Sequence, residues 1–246
     1  MVQIYHANAM DMLRRDIGLF DAVITDPPYS SGGATLTDKQ RGTAQKYTNT
    51  KQHCPFPDFV GDAMDQRSWT RMMREVLSAA RDHCKSGAIL AVFIDWRNIP
   101  ALYDAIQWAG WALRGVVVWD KLTSRPQRGR FRQQTEYLVW ASNGPLPLDR
   151  GVGCLPGIFH ATNVQGAKRL HQTQKPLEVM REIVRITVPG GRILDPFAGS
   201  ATTLAAAQLE GYDAVGCEVH RAIATTAAKR LDVPLLPLSA LPEATV

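Results

Sequence analysis

Arg192-Ile193-Leu194-Asp195-Pro196-Phe197-Ala198-Gly199-Ser200 is a short apolar run that ends in Asp-Pro, passes through a glycine turn and enters the small-residue segment Ala201 to Leu209. An apolar run bounded by turn residues reads as a buried strand, and the segment beyond it as a closely packed helix. Strand, tight turn and helix form the unit of an open α/β sheet. Such sheets bind ligands at the carboxyl ends of their strands, beside the point where strand order reverses. Glycine at the turn lets a ligand approach the backbone, and the helix start offers unpaired N–H groups to an anion. The next strand, Asp213 to Cys217, ends in Glu218. An acidic residue about twenty positions beyond a glycine turn commonly takes the ribose hydroxyls of a nucleoside cofactor. Taken singly, Asp195 and Glu218 read equally well as solvated strand-end carboxylates.

A second strand end repeats the theme. The run Ala22-Val23-Ile24 leads to Asp26-Pro27-Pro28-Tyr29. Two consecutive prolines stop the strand, hold the backbone extended and remove its N–H groups. A carboxylate, free carbonyls and one aromatic ring then stand beyond the strand. This set suits a flat amine: Asp26 and the Pro27 carbonyl can each accept an amino hydrogen, and Tyr29 can stack on the ring that carries it. The same residues also suit a simple Pro-Pro turn with a surface tyrosine.

Together the two strand ends resemble those of the S-adenosylmethionine-dependent DNA amino-methyltransferases in their beta-class order, with the amine motif at Asp26 ahead of the cofactor motif at Asp195. That class also carries a Lys-Pro element before the cofactor strand, matched by His171-Gln172-Thr173-Gln174-Lys175-Pro176. The resemblance runs from Ile4 to about Leu231. It implies a Rossmann-like, seven-stranded α/β methyltransferase sheet in circularly permuted motif order, with an inserted target-recognition segment. On that plan residues 1–142 form the amine-pocket half, 143–170 the recognition insertion, and 171–246 the cofactor half and tail. The implied catalytic set is Asp26, Pro27, Pro28 and Tyr29. The implied cofactor set is Asn8, Ala9, Asp26, Gln174, Lys175, Asp195, Pro196, Phe197, Ala198, Gly199, Ser200, Thr202 and Glu218, with Lys175 and the helix start near Thr202 facing the methionine carboxylate. Two residues depart from the pattern. Ala201 stands where many relatives have a second glycine, and Asn8 where relatives usually have an Asp facing the adenine.

Composition agrees with this reading. A chain of 246 residues with 45% hydrophobic content suits one sizeable α/β domain with a long insertion, and a net charge of +5 permits a polyanionic partner. The four cysteines, Cys54, Cys84, Cys154 and Cys217, lie far apart and read as free thiols in a reducing compartment. His53-Cys54 and His83-Cys84 do not have zinc spacing, so no metal is expected. The longest apolar stretch, Ala88 to Ile94, is far too short to span a membrane, and a cytoplasmic, nucleoid-associated protein is expected.

Periodicity supplies the remaining elements. Strands are predicted at Val2–His6, Asp21–Thr25, Ala88–Ile94, Val116–Trp119 and Tyr137–Trp140, besides the two already named. Trp69, Met72, Met73, Val76, Leu77 and Ala80 mark an amphipathic helix whose stripe reads as core packing. The polar stretch Ser30 to Gln66 reads as a lid or as disorder. Two insertions carry candidate DNA contacts: Lys121, Arg125, Arg128, Arg130 and Arg132 around Phe131, then Asn163, Gln165, Lys168 and Arg169 in the interval where the resembled class places target recognition. The first set suits phosphate contacts and the second base readout.

The expected reaction is transfer of a methyl group to the N6 amine of an adenine flipped out of double-stranded DNA, with Asp rather than Ser at the motif head favouring adenine over cytosine-N4. A nicotinamide oxidoreductase would need Gly-x-Gly-x-x-Gly, and Gly199 stands alone. A non-catalytic nucleic-acid-binding module would not need Asp26 and Tyr29. The reading leaves room for a homodimer and for a separate restriction endonuclease.

Overall fold

The computed structural model describes residues 1–30, 64–124, 126, 128–162 and 175–244. Among these, nine strands form one sheet: β1 (Val2–His6), β2 (Phe20–Thr25), β3 (Cys84–Ile94), β4 (Ala112–Asp120), β5 (Thr135–Ser142), β6 (Ile158–His160), β7 (Arg192–Asp195), β8 (Asp213–Glu218) and β9 (Leu235–Pro237). Their order in space is β6-β4-β5-β3-β2-β7-β8-β1-β9. β5 runs antiparallel to β3 and β4, and every other pairing is parallel. All seven expected strands are present. The count rises to nine because β6 and β9, three residues each, extend the two edges. Runs that short carry too few residues for alternation to register.

Among the described residues six α-helices cover the sheet: α1 (Ala9–Leu13), α2 (Gln66–Asp82), α3 (Ile99–Trp108), α4 (Leu177–Val184), α5 (Thr202–Leu209) and α6 (Arg221–Leu231). Strand side chains alternate between the two faces, so one strand feeds two cores. In β3, Leu90, Val92 and Ile94 join the core under α1, α2 and α3, whereas Ile89, Ala91 and Phe93 join the core under α4, α5 and α6. These six β3 residues are at most 1% exposed, and burying each contributes roughly 1.5–3 kcal/mol relative to exposure for the larger side chains. The central strand is thereby a rigid floor for whatever stands at its end.

Connectivity places the site. β2 passes through α2 to β3 on one side, while β7 passes through α5 to β8 on the other, by way of the opposite face. β2 and β7 are neighbours, paired at Ala22–Ile193 and Val23–Leu194, so strand order reverses between them. Asp26 and Asp195 therefore emerge at one crevice, where open α/β sheets bind ligands. Gly216 on β8 lets this region pack closely: a Cβ there would lie 2.9 Å from the Asp195 carbonyl oxygen and 3.0 Å from Leu204.

The chain's first residues join the sheet beyond β8. β1 pairs with β8, and the Ala7 N–H donates to the Glu218 carbonyl at 3.2 Å. Most of the expected lid, residues 31–63, and residues 163–174 lie outside the described residues. No helix among the described residues is long and apolar enough to cross a membrane.

Candidate active site

Thr25, the last residue of β2, ties the two strand ends together. Its hydroxyl donates to Asp195 Oδ1 at 2.7 Å, and the Phe197 N–H donates to the same oxygen at 3.1 Å. Asp195 is 1% exposed. Burial pushes its carboxyl up to about 6, although hydrogen bonds from Thr25, Thr203 and the Phe197 backbone favour the charged form.

One residue on, Asp26 stands at the strand end with both oxygens engaged. The Tyr29 hydroxyl donates to Oδ1 at 2.6 Å, and the Lys175 ammonium donates to Oδ2 at 2.5 Å. The Pro-Pro segment is fixed from both sides: the Trp69 indole N–H donates to the Pro28 carbonyl at 2.7 Å, and the Asn98 amide to the Tyr29 carbonyl at 2.5 Å. Prolines supply no N–H of their own, so side chains from α2 and from the turn after β3 take over the anchoring.

Lys175 also lies 3.1 Å from the Tyr29 hydroxyl and 3.3 Å from Glu136 Oε2, with its ammonium over the rings of Phe93 and Tyr29 at 4.9 and 5.4 Å. Glu136, on β5, receives Lys121 on its other oxygen at 3.2 Å. Burial raises the Asp26 carboxyl, a push that the Lys175 charge partly offsets. Burial alone would raise Glu136 too, but the ammoniums of Lys175 and Lys121 hold it below the usual range. The same two carboxylates outweigh desolvation at Lys175 and keep it raised. Burial and the surrounding carboxylates push the Tyr29 phenol well up, so it is a hydrogen-bond donor at neutral pH.

On the other wall, Gly199 turns the chain at φ +51°, with no atom within 4 Å of where a Cβ would stand. Glu218 clamps this turn: the Gly199 N–H donates to Oε2 at 3.2 Å, and the His220 N–H to Oε1 at 2.8 Å. Burial raises the Glu218 carboxyl. Arg230 braces the helix start, donating to the Ser200 carbonyl at 3.0 Å and to Thr202 Oγ1 at 2.9 Å. Asn8 caps α1, accepting from the Met10 N–H at 2.9 Å, with Ala9 next to it on the first turn.

The crevice thus gathers Asp26 to Tyr29, Asp195 to Ser200 and Lys175, flanked by Glu218, Asn8, Ala9 and Thr202. Two residues are placed differently from expectation. Lys175, expected at a cofactor carboxylate, sits on Asp26, between two half-buried carboxylates whose charges hold it. Lys121, expected on the basic face, is drawn inward by Glu136 and is only 17% exposed. Arg128, Arg130 and Arg132 are exposed, and Phe131 is fully so. Gln174, Arg125, Asn163, Gln165, Lys168 and Arg169 lie outside the described residues. Sequence reasoning missed Glu136, Asn98 and Thr25, and read Trp69 as core alone. A glutamate inside the strand Thr135–Ser142, with no periodic reason to be there, was the available pointer to Glu136.

Comparison with known proteins decides between readings of this crevice. The DNA methylase family of N6 and N4 amino-methyltransferases matches residues 20–149 and 154–229. The chain belongs to that family. S-adenosylmethionine is the family's methyl donor. The methylase is 24% identical to the type II methyltransferase M2.DpnII of Streptococcus pneumoniae, over 93% of this chain and 91% of that one. It is 26% identical to the putative methylase YubD of Escherichia coli K12, over 82% and 79% of the two chains. Among solved structures, the M1.HpyAVI complex with S-adenosylmethionine superposes with a TM-score of 0.70 at 23% identity, covering 95% of this chain and 100% of that one. The cytosine-N4-specific PvuII DNA methyltransferase gives 0.68 at 16% identity, covering 93% and 86%.

Proposed function

We propose that this methylase transfers a methyl group from S-adenosylmethionine to the N6 amine of an adenine flipped out of a specific double-stranded DNA sequence. The observation that carries the proposal is Asp26, with Tyr29 held beside it, at the reversal point of the sheet and one hydrogen-bonded threonine away from the Asp195–Gly199 turn. Asp rather than Ser at the motif head favours adenine. The similarity to the cytosine-N4-specific PvuII fold supports N4 as the second reading.

The cofactor fits the residues present. The open space over Gly199, the raised Glu218 carboxyl beside it and the cap at Asn8 form a wall suited to a nucleoside. Glu218 would accept from ribose hydroxyls, Asn8 would face the base, and the Asp195–Ser200 turn with Thr202 would border the amino-acid end. Bound there, S-adenosylmethionine supplies a methyl carbon made electrophilic by its sulfonium.

The protein's own task is to aim a poor nucleophile. The exocyclic nitrogen lone pair is delocalised into the ring and lies inside a duplex, so the base must first leave the stack. Asp26 and the Pro27 carbonyl accept the two amino hydrogens, which localises the lone pair, and Tyr29 fixes the ring plane by stacking. Orientation and fixed electrostatics supply much of the rate, so Asp26 need not be a strong base.

Incubating the methylase with unmodified DNA and the cofactor, then digesting to nucleosides for mass spectrometry, tests this reading. N6-methyladenine is expected, and Asp26→Ala is expected to lower its formation more than about tenfold, a barrier increase of about 1.4 kcal/mol or more. N4-methylcytosine instead would establish the second reading. Neither product from the wild-type chain would overturn both.

A further inference from the structure

Both oxygens of Asp26 already have donors within the chain, Tyr29 on one and Lys175 on the other. A substrate amine that takes the position of either donor must displace it. Lys175 is the donor whose departure raises a physical problem, because its side chain is 7% exposed and a buried ammonium stripped of its counter-charge is strongly disfavoured. The remedy lies within reach: Glu136 Oε2 is 3.3 Å from the same nitrogen. Glu136 is itself held by Lys121 through its other oxygen, so its position does not depend on Lys175.

We infer that the Lys175 ammonium is a resident occupant of the amine pocket, shared by Asp26 and Glu136, and that Glu136 takes it over when a substrate amine engages Asp26. The inference rests on the reading of Asp26 as the amine acceptor. Glu136 is then a positioning residue that acts through Lys175. The three ammonium hydrogens match the three acceptors around them, Asp26, the Tyr29 hydroxyl and Glu136. The resident charge also has a use before substrate arrives. A buried carboxylate without a cation takes up a proton, and a protonated Asp26 has lost an acceptor site. The Lys175 charge opposes that uptake. Afterwards the ammonium remains paired, so emptying the pocket does not strand a charge.

Occupancy can be read without DNA or cofactor, so failure here is distinguishable from failure of the methyltransferase reading. With nitrogen-15 lysine labelling of the full chain, the Lys175 ammonium is assigned by its loss in Lys175→Arg. In the wild type its protons should exchange more slowly than those of exposed lysines. In Asp26→Asn, which removes the charge a substrate would claim, slow exchange should persist because Glu136 retains the ammonium. It should be lost in the Asp26→Asn/Glu136→Gln double variant. Fast exchange in the wild type, or in Asp26→Asn alone, would overturn the inference. If the double variant does not fold, those two measurements still decide it.

Kinetics supply a readout that a merely structural role would not move. Glu136→Gln should lower kcat about tenfold with KM for the cofactor unchanged, and Glu136→Asp should recover part of that loss. In a Lys175→Met background the same substitution should have little further effect. An equal loss in both backgrounds would show that Glu136 does not act through Lys175.

Discussion

Asp195 shows how one buried carboxyl couples folding to pH. Its folded value of about 6 lies above the ordinary 3.8, so the folded chain holds a proton there that the unfolded chain releases. The stabilisation from that proton is present below about pH 4 and lost as the pH rises to about 6, some 3 kcal/mol in all. Asp195→Asn should lack this dependence, seen as the difference between wild-type and variant unfolding free energies across that window. A cationic ligand bound alongside would drive the proton out. S-adenosylmethionine affinity is therefore expected to rise with pH towards about 6 and then level, with proton release detectable by calorimetry in buffers of different ionisation enthalpy. Flat affinity from pH 4 to 6 would separate Asp195 from the sulfonium. Glu218 is the neighbouring case. Removing it with Glu218→Ala deletes charge-assisted hydrogen bonds worth about 1.5–3 kcal/mol each and releases the Gly199 turn, so cofactor affinity should fall tenfold or more. Unchanged affinity would leave Glu218 as a strand-end clamp only.

At the scale of elements, two helix boundaries adopt the left-handed conformation without glycine. Asp232 ends α6 at φ 55° and ψ 46°, exposed, with its carboxylate at the negative end of the helix. Asp232→Gly relieves both the backbone strain and the dipole repulsion and should raise stability by about 1 kcal/mol, visible as a higher Tm. Ala201 opens α5 at φ 60° and ψ 41°, a conformation that favours glycine, but its methyl is fully buried in the core under that helix. Ala201→Gly gains about 1 kcal/mol from the backbone and loses about 0.8 kcal/mol of buried methyl, so near-neutrality is expected. A large effect of either sign would show that one term had been misjudged. These elements also mark the limit of what the sequence discloses. The seven inner strands were legible because each carries several apolar residues at one period between turn residues, and Asp26 and Asp195 because each follows such a strand directly. Glu136, Asn98 and Lys121 were not, because their importance arises from β3, β4 and β5 being brought together by non-local pairing. The partners of Lys175 were not legible either, since the Asp26–Glu136 field that holds it exists only once β2 and β5 are in place.

At the scale of the whole molecule, the proposed function requires the crevice to receive a duplex, and the β4–β5 connection is the basic surface rooted beside it. The Lys121 N–H donates to the Gln134 carbonyl at 2.8 Å and closes the base of this loop, while the Lys121 side chain reaches into the amine pocket through Glu136. Outward from that root, Arg128, Arg130 and Arg132 stand exposed around Phe131. Guanidiniums presented this way suit phosphate oxygens, whose neutralisation releases counterions and makes affinity fall with salt regardless of sequence. Arg128→Ala and Arg132→Ala should therefore weaken binding to cognate and unrelated duplexes alike, each reducing the slope of log affinity against log salt by about one. A side chain that reads a base edge behaves differently: its loss lowers discrimination by about 1–3 kcal/mol while largely sparing non-specific binding. Competition between cognate and unrelated duplexes at several salt concentrations separates the two behaviours. If Arg128→Ala or Arg132→Ala lost discrimination while keeping the full salt slope, the β4–β5 loop would be a reader of sequence, and recognition would begin directly beside the pocket that receives the base.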